Sequence, residues 1–520
     1  MDKNKLRKEL FIQLDGIALT APIACIFNSS NEHLKKIIQG EEINALELKE
    51  SSINLDYLNV SLRLFESQGL LKRIKVDNTS IMVQLTNYGT KFFEDYKVYL
   101  KFFKYFKTFT NLSIDKKNIH NTINSFLNEF KEIETENDII KIHIKGLLVG
   151  PLLVSLFMND FAKISNQNRM IFSDKINTDN KNAISNFFEK INFITNGNEL
   201  TEKGLFFCKR SSAYGVTVSY MPLFLKLKNL IQGNSSTLLL RDENGNETHV
   251  NRKMNVWGSG GAHKLYFKKI DEIIIKIFNG PIKNQPKGIA DMGCGDGTLL
   301  IHLYDLIKNK TKRGKVLKQN PLHVIGADFN NEALDVTSNN LKKRKIKHFL
   351  IKADISNPKD FNKKLVNRHN INLNDLLNVR SFLDHNRIFE MPNESKFNIN
   401  QIKTNSTAAF CSHLGNEILK PNVFKLSLIE HFLRWKPFIN KYGLILVELH
   451  TIHPENCFKN IGRTLATPYD ATHGFSNQYI IEYEEFIDSA KIAGLKNNKK
   501  FEFTFPNKSL ATVSINLLSV

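Results

Sequence analysis

Apolar positions in the first two hundred residues fall mostly at helical spacing. Over 58–71, Leu58, Leu62, Phe65 and Leu70 lie close to a 3.6-residue repeat, and Gly69 ends the run. The period then shortens to two across 81–85, and Thr86-Asn-Tyr-Gly-Thr-Lys-Phe-Phe93 follows. Helix, two short strands and helix in that order predict a winged-helix unit. The segment Leu85-Thr86-x-x-Gly89-x-x-Phe92 recurs as Leu200-Thr201-x-x-Gly204-x-x-Phe207, each copy after an apolar-acidic cluster (Leu64-Phe65-Glu66 and Phe187-Phe188-Glu189). Residues 1–110 are therefore read as one winged-helix-like unit, and 111–250 as a second winged-helix-like, helical lid region.

The connecting stretch 211–280 reads as mostly helical, with turn-rich loops at 233–237 and 241–247. From about 285 the pattern alternates between strands and helices. Strands are expected at 287–291, 323–328 and 348–352, with helices at 298–308 and 331–342 between them. A strand at 443–450, a helix at 482–492 and closing strands at 501–505 and 512–518 complete a doubly wound α/β domain spanning 251–520.

A glycine-rich turn joins the first of these strands to its helix: Asp291-Met-Gly293-Cys-Gly295-Asp-Gly297-Thr298. Spaced glycines let backbone turn sharply and approach a ligand, but alone they fit a dinucleotide binder as well. Three acids narrow the reading. Asp291 opens the loop where the amino-acid end of S-adenosylmethionine needs a partner. Asp328 ends the second strand, where a carboxylate accepts ribose hydroxyls, and Asp354 follows the third, within reach of an adenine amino group. That order resembles the class I methyltransferase signature, which implies a Rossmann-like domain with a seven-stranded sheet, the helical N-terminal region serving as its lid. Upstream, Asn255-Val-Trp-Gly-Ser-Gly260-Gly-Ala-His263 is expected to be a flexible loop that closes over the cofactor, with Gly260 and His263 touching it, or else a domain-joining turn around Trp257.

Composition bounds the alternatives. The chain has 520 residues, enough for two or three cores, and its charge is +20 from 72 Lys+Arg against 52 Asp+Glu. This excess suits an anionic partner such as nucleic acid, an acidic carrier protein or a phosphate-bearing substrate, although it is spread along the chain rather than gathered in one arm. Five scattered cysteines without a CxxC pair argue for a reducing compartment and against a thiolate zinc site. The N-terminus shows charge without a following apolar stretch of signal-peptide length, and the most apolar run, 146–158, is too short to span a bilayer and contains Pro151. A buried helix and a cytoplasmic protein without membrane attachment are expected.

Three later segments place polar groups at the carboxyl edge of the sheet: Arg380-Ser-Phe-Leu-Asp384-His385-Asn-Arg387 after the fourth strand, Glu448-Leu-His450 at the end of the fifth, and Asp470-Ala-Thr-His473-Gly-Phe-Ser-Asn-Gln478 in the loop before the next helix. Asp384, His385, His473 and Gln478 together offer imidazole, carboxylate and amide oxygen. Such a set suits Fe(II) or Mn(II) acting as a Lewis acid on a substrate's oxygens. His450 and His473 are candidate catalytic bases, and Glu448 is a candidate base or orienting group. His453 and His413 are expected to face solvent.

These three motifs, with 255–263, resemble the metal-dependent C-methyltransferase domains of modular polyketide synthases, of the apratoxin loading-module type. The resemblance covers most of the chain. It implies methylation of the α-carbon of a malonyl-type or β-keto acyl group on an acyl carrier protein, with Asp384, His385, His473 and Gln478 as metal ligands. No carrier segment is recognisable, so a carrier is expected to dock in trans. Two other readings remain open: a metal-free small-molecule O-methyltransferase using His450 or His473, and a winged-helix nucleic-acid-binding regulator that uses the cofactor as a ligand. The last needs a basic recognition helix, and 58–71 offers only Arg63 before Lys72-Arg73. Nucleic acid is therefore the less favoured partner. A base-methylating enzyme is disfavoured too, because Leu383-Asp384-His385 stands where its Asn/Asp-Pro-Pro-aromatic motif belongs.

Overall fold

The structure, a computed structural model, describes the chain except for Met1, Asn111, Asn196, Asn234, 244–246, 394–396 and 413–415, and except for the side chains of Leu239 and 261–265. His413 and the tip of the 241–247 loop thus lie outside the described residues, as does the side chain of His263. Two compact units result. The first comprises 1–262, 409–418 and 453–477, and the second 263–408, 419–452 and 478–520. Both are discontinuous, which no reading of consecutive stretches can anticipate.

The first unit is helical around two long apolar helices, Lys3–Phe27 and Asp138–Met158. Their backbones nearly touch: a Cβ on Gly16 would lie 2.3 Å from His143 Cα, and one on Gly146 2.5 Å from the Gln13 carbonyl oxygen. Both helices are long and apolar enough to cross a membrane, yet 89% and 78% of their apolar windows are buried within the protein. The run 146–158 is therefore the end of a 21-residue helix with Pro151 inside it. The first apolar helix was not anticipated, because Asp2, Lys3, Lys5 and Arg7 draw attention to charge and Asp15 interrupts the run. Asp15 is fully buried, and burial pushes its carboxyl well above the usual carboxylate range.

Helices Glu32–Gln39, Ala45–Glu50 and Leu55–Ser67 precede strands Leu71–Val76 and Ser80–Leu85, which pair with Ile43–Asn44 in a three-stranded antiparallel sheet. The order of helix, two strands and helix (Leu55–Ser67, Leu71–Val76, Ser80–Leu85, Asn87–Glu94) is the one read from the sequence. The recurring Leu-Thr-x-x-Gly-x-x-Phe segment acquires a physical meaning. Thr86 and Thr201 each cap a helix by accepting the N–H of Gly89 (2.8 Å) and Gly204 (3.0 Å). A Cβ on either glycine would strike a carbonyl oxygen of the preceding segment, Leu70 at 1.7 Å or Phe193 at 1.8 Å. The repeat thus records one strand-to-helix junction used twice. Arg63, on the candidate recognition helix, is wholly buried and paired with Asp470 at 3.4 Å, while Arg73 donates to Glu66 at 2.8 Å. Neither is a charge presented to a phosphate backbone.

The second unit is built on strands β1 (Gly288–Met292), β2 (His323–Asp328), β3 (Phe349–Lys352), β4 (Leu376–Ser381), β5 (Leu444–Thr451), β6 (Phe503–Phe505) and β7 (Val513–Ser519). They pair in the order β3-β2-β1-β4-β5-β7, with β6 also on β7 and short pieces at Ile481–Glu482 and Lys496–Asn497 extending the sheet to nine strands. Strands β1 to β5 run parallel, and β7 returns antiparallel to β5. Near-continuous apolar runs such as Leu444-Ile-Leu-Val447 suit strands covered on both faces. The covering helices include α1 (Thr298–Lys310), α2 (Asn331–Lys343), α3 (Pro358–His369), α4 (Pro421–Ile439) and α5 (Tyr483–Ile492). Strand order reverses between β1 and β4. The carboxyl edge there is the switch point at which such sheets bind ligands.

Two expected loops are helices instead. Residues 255–263 lie inside the helix Arg252–Phe278, and most of 469–478 belongs to the helix Ala466–Gly474. In the first, the propensity cost of glycine is met by close packing at Gly258, where a Cβ would lie 2.6 Å from the Val216 nitrogen, whereas one on Gly260 would meet nothing within 4 Å.

Candidate active site

The glycine loop after β1 has the conformation its composition requires. Gly293, Gly295 and Gly297 adopt φ of +80°, +54° and +80°, a region that side chains strongly disfavour. Backbone bonds fix the turn: Gly293 and Cys294 donate to the Ala327 carbonyl at 2.8 and 3.1 Å, and Gly297 to that of Cys294 at 2.8 Å. Thr337 on α2 donates to the Gly295 carbonyl at 2.7 Å. A Cβ on Gly293 would lie 2.9 Å from Leu383, whereas one on Gly295 would meet nothing within 4 Å. The loop is braced on one side and open at Gly295.

Three carboxylates stand at this edge. Asp328 takes the N–H of Gly295 at 3.1 Å on one oxygen and that of Asn330 at 2.9 Å on the other, which fixes its orientation. Asp354 accepts from the Ser356 N–H at 2.8 Å. Asp291 is 2% exposed, and its buried Oδ1 accepts no hydrogen bond from the protein. Burial, reinforced by Asp328 and Asp296, pushes its carboxyl up to about 8. A buried carboxylate oxygen without a donor beside an open glycine cradle fits a ligand with a cationic amino-acid end. These are residues that would hold S-adenosylmethionine. Gly260 does not join them by conformation: it is an exposed helical position in the first unit. Cys294 in the loop is a buried thiol pushed up to about 12 by burial, and all five cysteines are buried free thiols.

A second group of side chains lines a small cleft in the same unit, walled by Phe424, Leu428, Tyr479, Ile481 and Phe486. His385, in the turn after β4, donates from Nδ1 to Glu448 Oε1, and its backbone N–H donates to Glu448 Oε2 at 3.2 Å. Tyr479 secures the turn from the other side, donating its N–H to the His385 carbonyl at 2.7 Å. Phe382, which begins the turn, is held at φ +56°, an uncommon conformation for an aromatic residue. Glu448 fixes the imidazole tautomer with its proton on Nδ1, so the basic lone pair resides on Nε2. His385 and Glu448 are 5% and 1% exposed. A buried imidazole oriented by a buried carboxylate is the arrangement of a general base.

The remaining predicted residues take other roles. Asp384 is paired through Oδ1 with Arg380 at 2.9 Å and His431 at 3.2 Å. Burial opposes its charge, but Arg380 and His431 together hold its carboxyl below the usual range. His473 belongs to the first unit, where its Nδ1 donates to the Tyr469 carbonyl at 2.9 Å, and Gln478 is the first residue of the returning second-unit segment. Among the described residues no three His, Cys, Asp or Glu side chains converge as metal ligands. Arg380 and His431 both engage Asp384 Oδ1, leaving Oδ2 buried without a partner, and His385 Nδ1 is bonded to Glu448. With no three such ligands converging, the expected Asp384-His385-His473-Gln478 centre is not formed among the described residues, and no step is derived through a metal. His450 is not placed as a base either. Its Nδ1 donates to the Ile481 carbonyl at 3.2 Å and its Nε2 is hydrogen-bonded to Ser514 at 2.8 Å. Burial pushes it down to about 3. Replacing His450 by alanine is expected to lower the melting temperature while leaving the kcat of the folded protein unchanged, read by calorimetry beside initial rates. Arg387 and Tyr479, which line the pocket, went unassigned in the sequence. Arg387 stood in view within the motif, but an arginine next to a histidine carries no signal until its burial is known.

A doubly wound sheet with antiparallel β7, a left-handed glycine turn after β1 and an acid at or just past the carboxyl end of each of β1, β2 and β3 defines a class I S-adenosylmethionine-dependent methyltransferase. Residues 247–516, just over half of the chain, match the family model described as the AprA MT2-like domain, and the chain belongs to that family. Residues 6–73 match the AprA N-terminal domain and 145–234 the AprA winged helix domain. No curated protein matches. Similar solved structures include an O-methyltransferase family protein from Burkholderia thailandensis, with 8% identity and a TM-score of 0.35 over 77% of this chain and 93% of that one. The S-adenosylmethionine-dependent methyltransferase SibL in its apo form shares 12% identity (TM-score 0.33, covering 65% and 85%), and the DszA carbon methyltransferase 9% (TM-score 0.33, covering 82% and 92%). Scores this low carry no argument about activity.

Proposed function

We propose that this methyltransferase alkylates carbon: the α-carbon of an acyl group, malonyl-type or β-keto, presented on the phosphopantetheine arm of an acyl carrier protein in polyketide-type biosynthesis. The observation that carries this reading is the buried His385–Glu448 pair beside an apolar pocket on the cofactor-binding unit. S-adenosylmethionine supplies the electrophilic methyl group. His385 takes the proton from the carbon that is to be methylated, and Glu448 holds the ring in position and stabilises the imidazolium that results. Leu383, packed where a Cβ on Gly293 would lie, couples the placement of the base turn to the cofactor loop. Phe424, Leu428 and Phe486 line the pocket with apolar surface where charge develops. The net charge of +20 suits an acidic carrier as the delivering partner.

The test is a methyl-transfer assay on malonyl- and acetoacetyl-loaded carrier protein, with the product's methyl position read by mass spectrometry. Carbon-methylated product supports the proposal. Methylation confined to hydroxyl acceptors would overturn it and favour the O-methyltransferase reading. Because Asp384 is committed to Arg380, activity is expected to survive EDTA. Loss restored by Fe(II) or Mn(II) would instead place a metal in the reaction.

A further inference from the structure

Resting on His385 as the base, the same pocket presents a charge that the base does not use. Arg387 is 3% exposed and lines the pocket. Its Nη1 donates to the backbone carbonyl of Asp384 at 2.9 Å, and its guanidinium lies 5.0 Å from the centre of the Phe424 ring. Its Nη2 is buried and donates to no protein atom. Burial pulls this guanidinium down to about 10, against the stabilising charge of Asp384. Arg380 is equally buried, and its Nε and Nη2 likewise lack an acceptor in hydrogen-bond geometry. What differs is place: Arg380 forms an ion pair with the Asp384 carboxylate at 2.9 Å, lies over the Trp435 ring at 4.5 Å and does not line the pocket. Arg387 is the arginine of the pocket lining, with a donor to offer what the pocket receives. A buried donor left unpaired costs stability, so its retention calls for a partner.

Charge balance says what that partner is. Glu448 is committed to His385, and Asp384 to Arg380 and His431. When His385 takes its proton from the substrate, Glu448 balances the imidazolium and the negative charge is left on the substrate, where Arg387 is the cation of the pocket lining that can meet it. We propose that Arg387 anchors the substrate oxygen that becomes an oxyanion, its Nη2 donating to the carbonyl next to the carbon that loses its proton. The C–H bond breaks, its proton passing to His385 and its electron pair spreading on to that oxygen. The pair then forms the new C–CH3 bond while the S–CH3 bond breaks with its electrons staying on sulfur, and His385 returns its proton to water. Arg387 thereby selects carbon acids flanked by a carbonyl over alcohols and phenols, which carry no second oxygen to anchor.

Exchange of the α-protons of acetoacetyl-pantetheine in D2O separates this inference from the reading on which it rests. Wild-type protein is expected to exchange them, and Arg387→Met to lose about 100-fold or more in exchange and in kcat. Arg387→Lys, which keeps a charge, should recover part of the loss. Calorimetric affinity for S-adenosylmethionine should be the same in all three proteins. If His385→Ala exchanges as fast as wild type, the base assignment fails. If His385→Ala is slow but Arg387→Met is as fast as wild type, only the anchor fails. Should the arginine variants not fold, acetylacetone bound to the wild-type protein gives an independent answer from its enolate absorbance. An enolate band below the pH at which the free diketone ionises supports the anchor, and no band at saturation overturns it.

Discussion

Methyl transfer by the His385→Ala protein is expected to fall by about 10²–10⁴ in kcat, with affinity for S-adenosylmethionine unchanged. The size follows from the work assigned to the imidazole. Carbon acids hold their protons tightly, and without Nε2 the pocket contains no second base: Glu448 has lost the ring it orients, Asp384 is neutralised by Arg380 at 2.9 Å, and His450 has both nitrogens engaged. Glu448→Gln should move in the same direction. An amide can present its own N–H to the ring and favour the tautomer with the proton on Nε2, which cannot accept another. Single-turnover rates beside calorimetric binding give the answer, and full activity in His385→Ala would remove the dyad from the mechanism.

The second large effect belongs to Asp291. In the unliganded protein its carboxyl sits near 8, against 3.8 for an ordinary aspartate, because burial and two neighbouring acids oppose its charge. The native state then holds this proton where the unfolded chain has released it. Stability is therefore lost as pH rises from about 4 to 8, and is regained on acidification through that window. Asp291→Asn removes the titration. At pH 8 the unliganded variant is expected to melt about 5 °C or more above wild type. Its affinity for S-adenosylmethionine should drop by about 100-fold, since the amide offers no charge to a cationic ligand. In wild type a bound cation recovers the ionised form, so binding should release a proton and tighten from pH 6 to 8, then level off. Calorimetry in buffers of different ionisation enthalpy measures that proton. A variant less stable than wild type at pH 8, or binding without proton release, would show that Asp291 already carries its charge in the free protein.

Much of the cofactor side was legible in the chain, because its signals are local. A strand of continuous apolar residues, three glycines at fixed spacing and an acid closing each strand specify a turn by backbone conformation alone. The observed φ values at 293, 295 and 297 are what that spacing demands. Strand boundaries came within a residue or two for the same reason, and His323–Asp328 coincided. Where local signals conflict, packing decided. The glycines at 258–261 suggest a flexible loop, but close contact with 215–216 keeps residues 252–278 helical.

On the other side of the unit the sequence named residues without their pairings. Asp384, His385, Glu448 and His450 follow β4 or end β5 in the chain, and composition alone made them metal ligands or interchangeable bases. Only tertiary structure says that Arg380 reaches Asp384, that Glu448 reaches His385, and that Ser514, 64 residues away, occupies His450. A side chain's type and its place along a strand are fixed by covalent order, so the sequence determined the sheet, the glycine turn and the acids that stand beside it. Protonation state and pairing depend on which distant group lies within about 3 Å and how much water remains between them. Those distances belong to the folded chain, and they separate the base from the bystander.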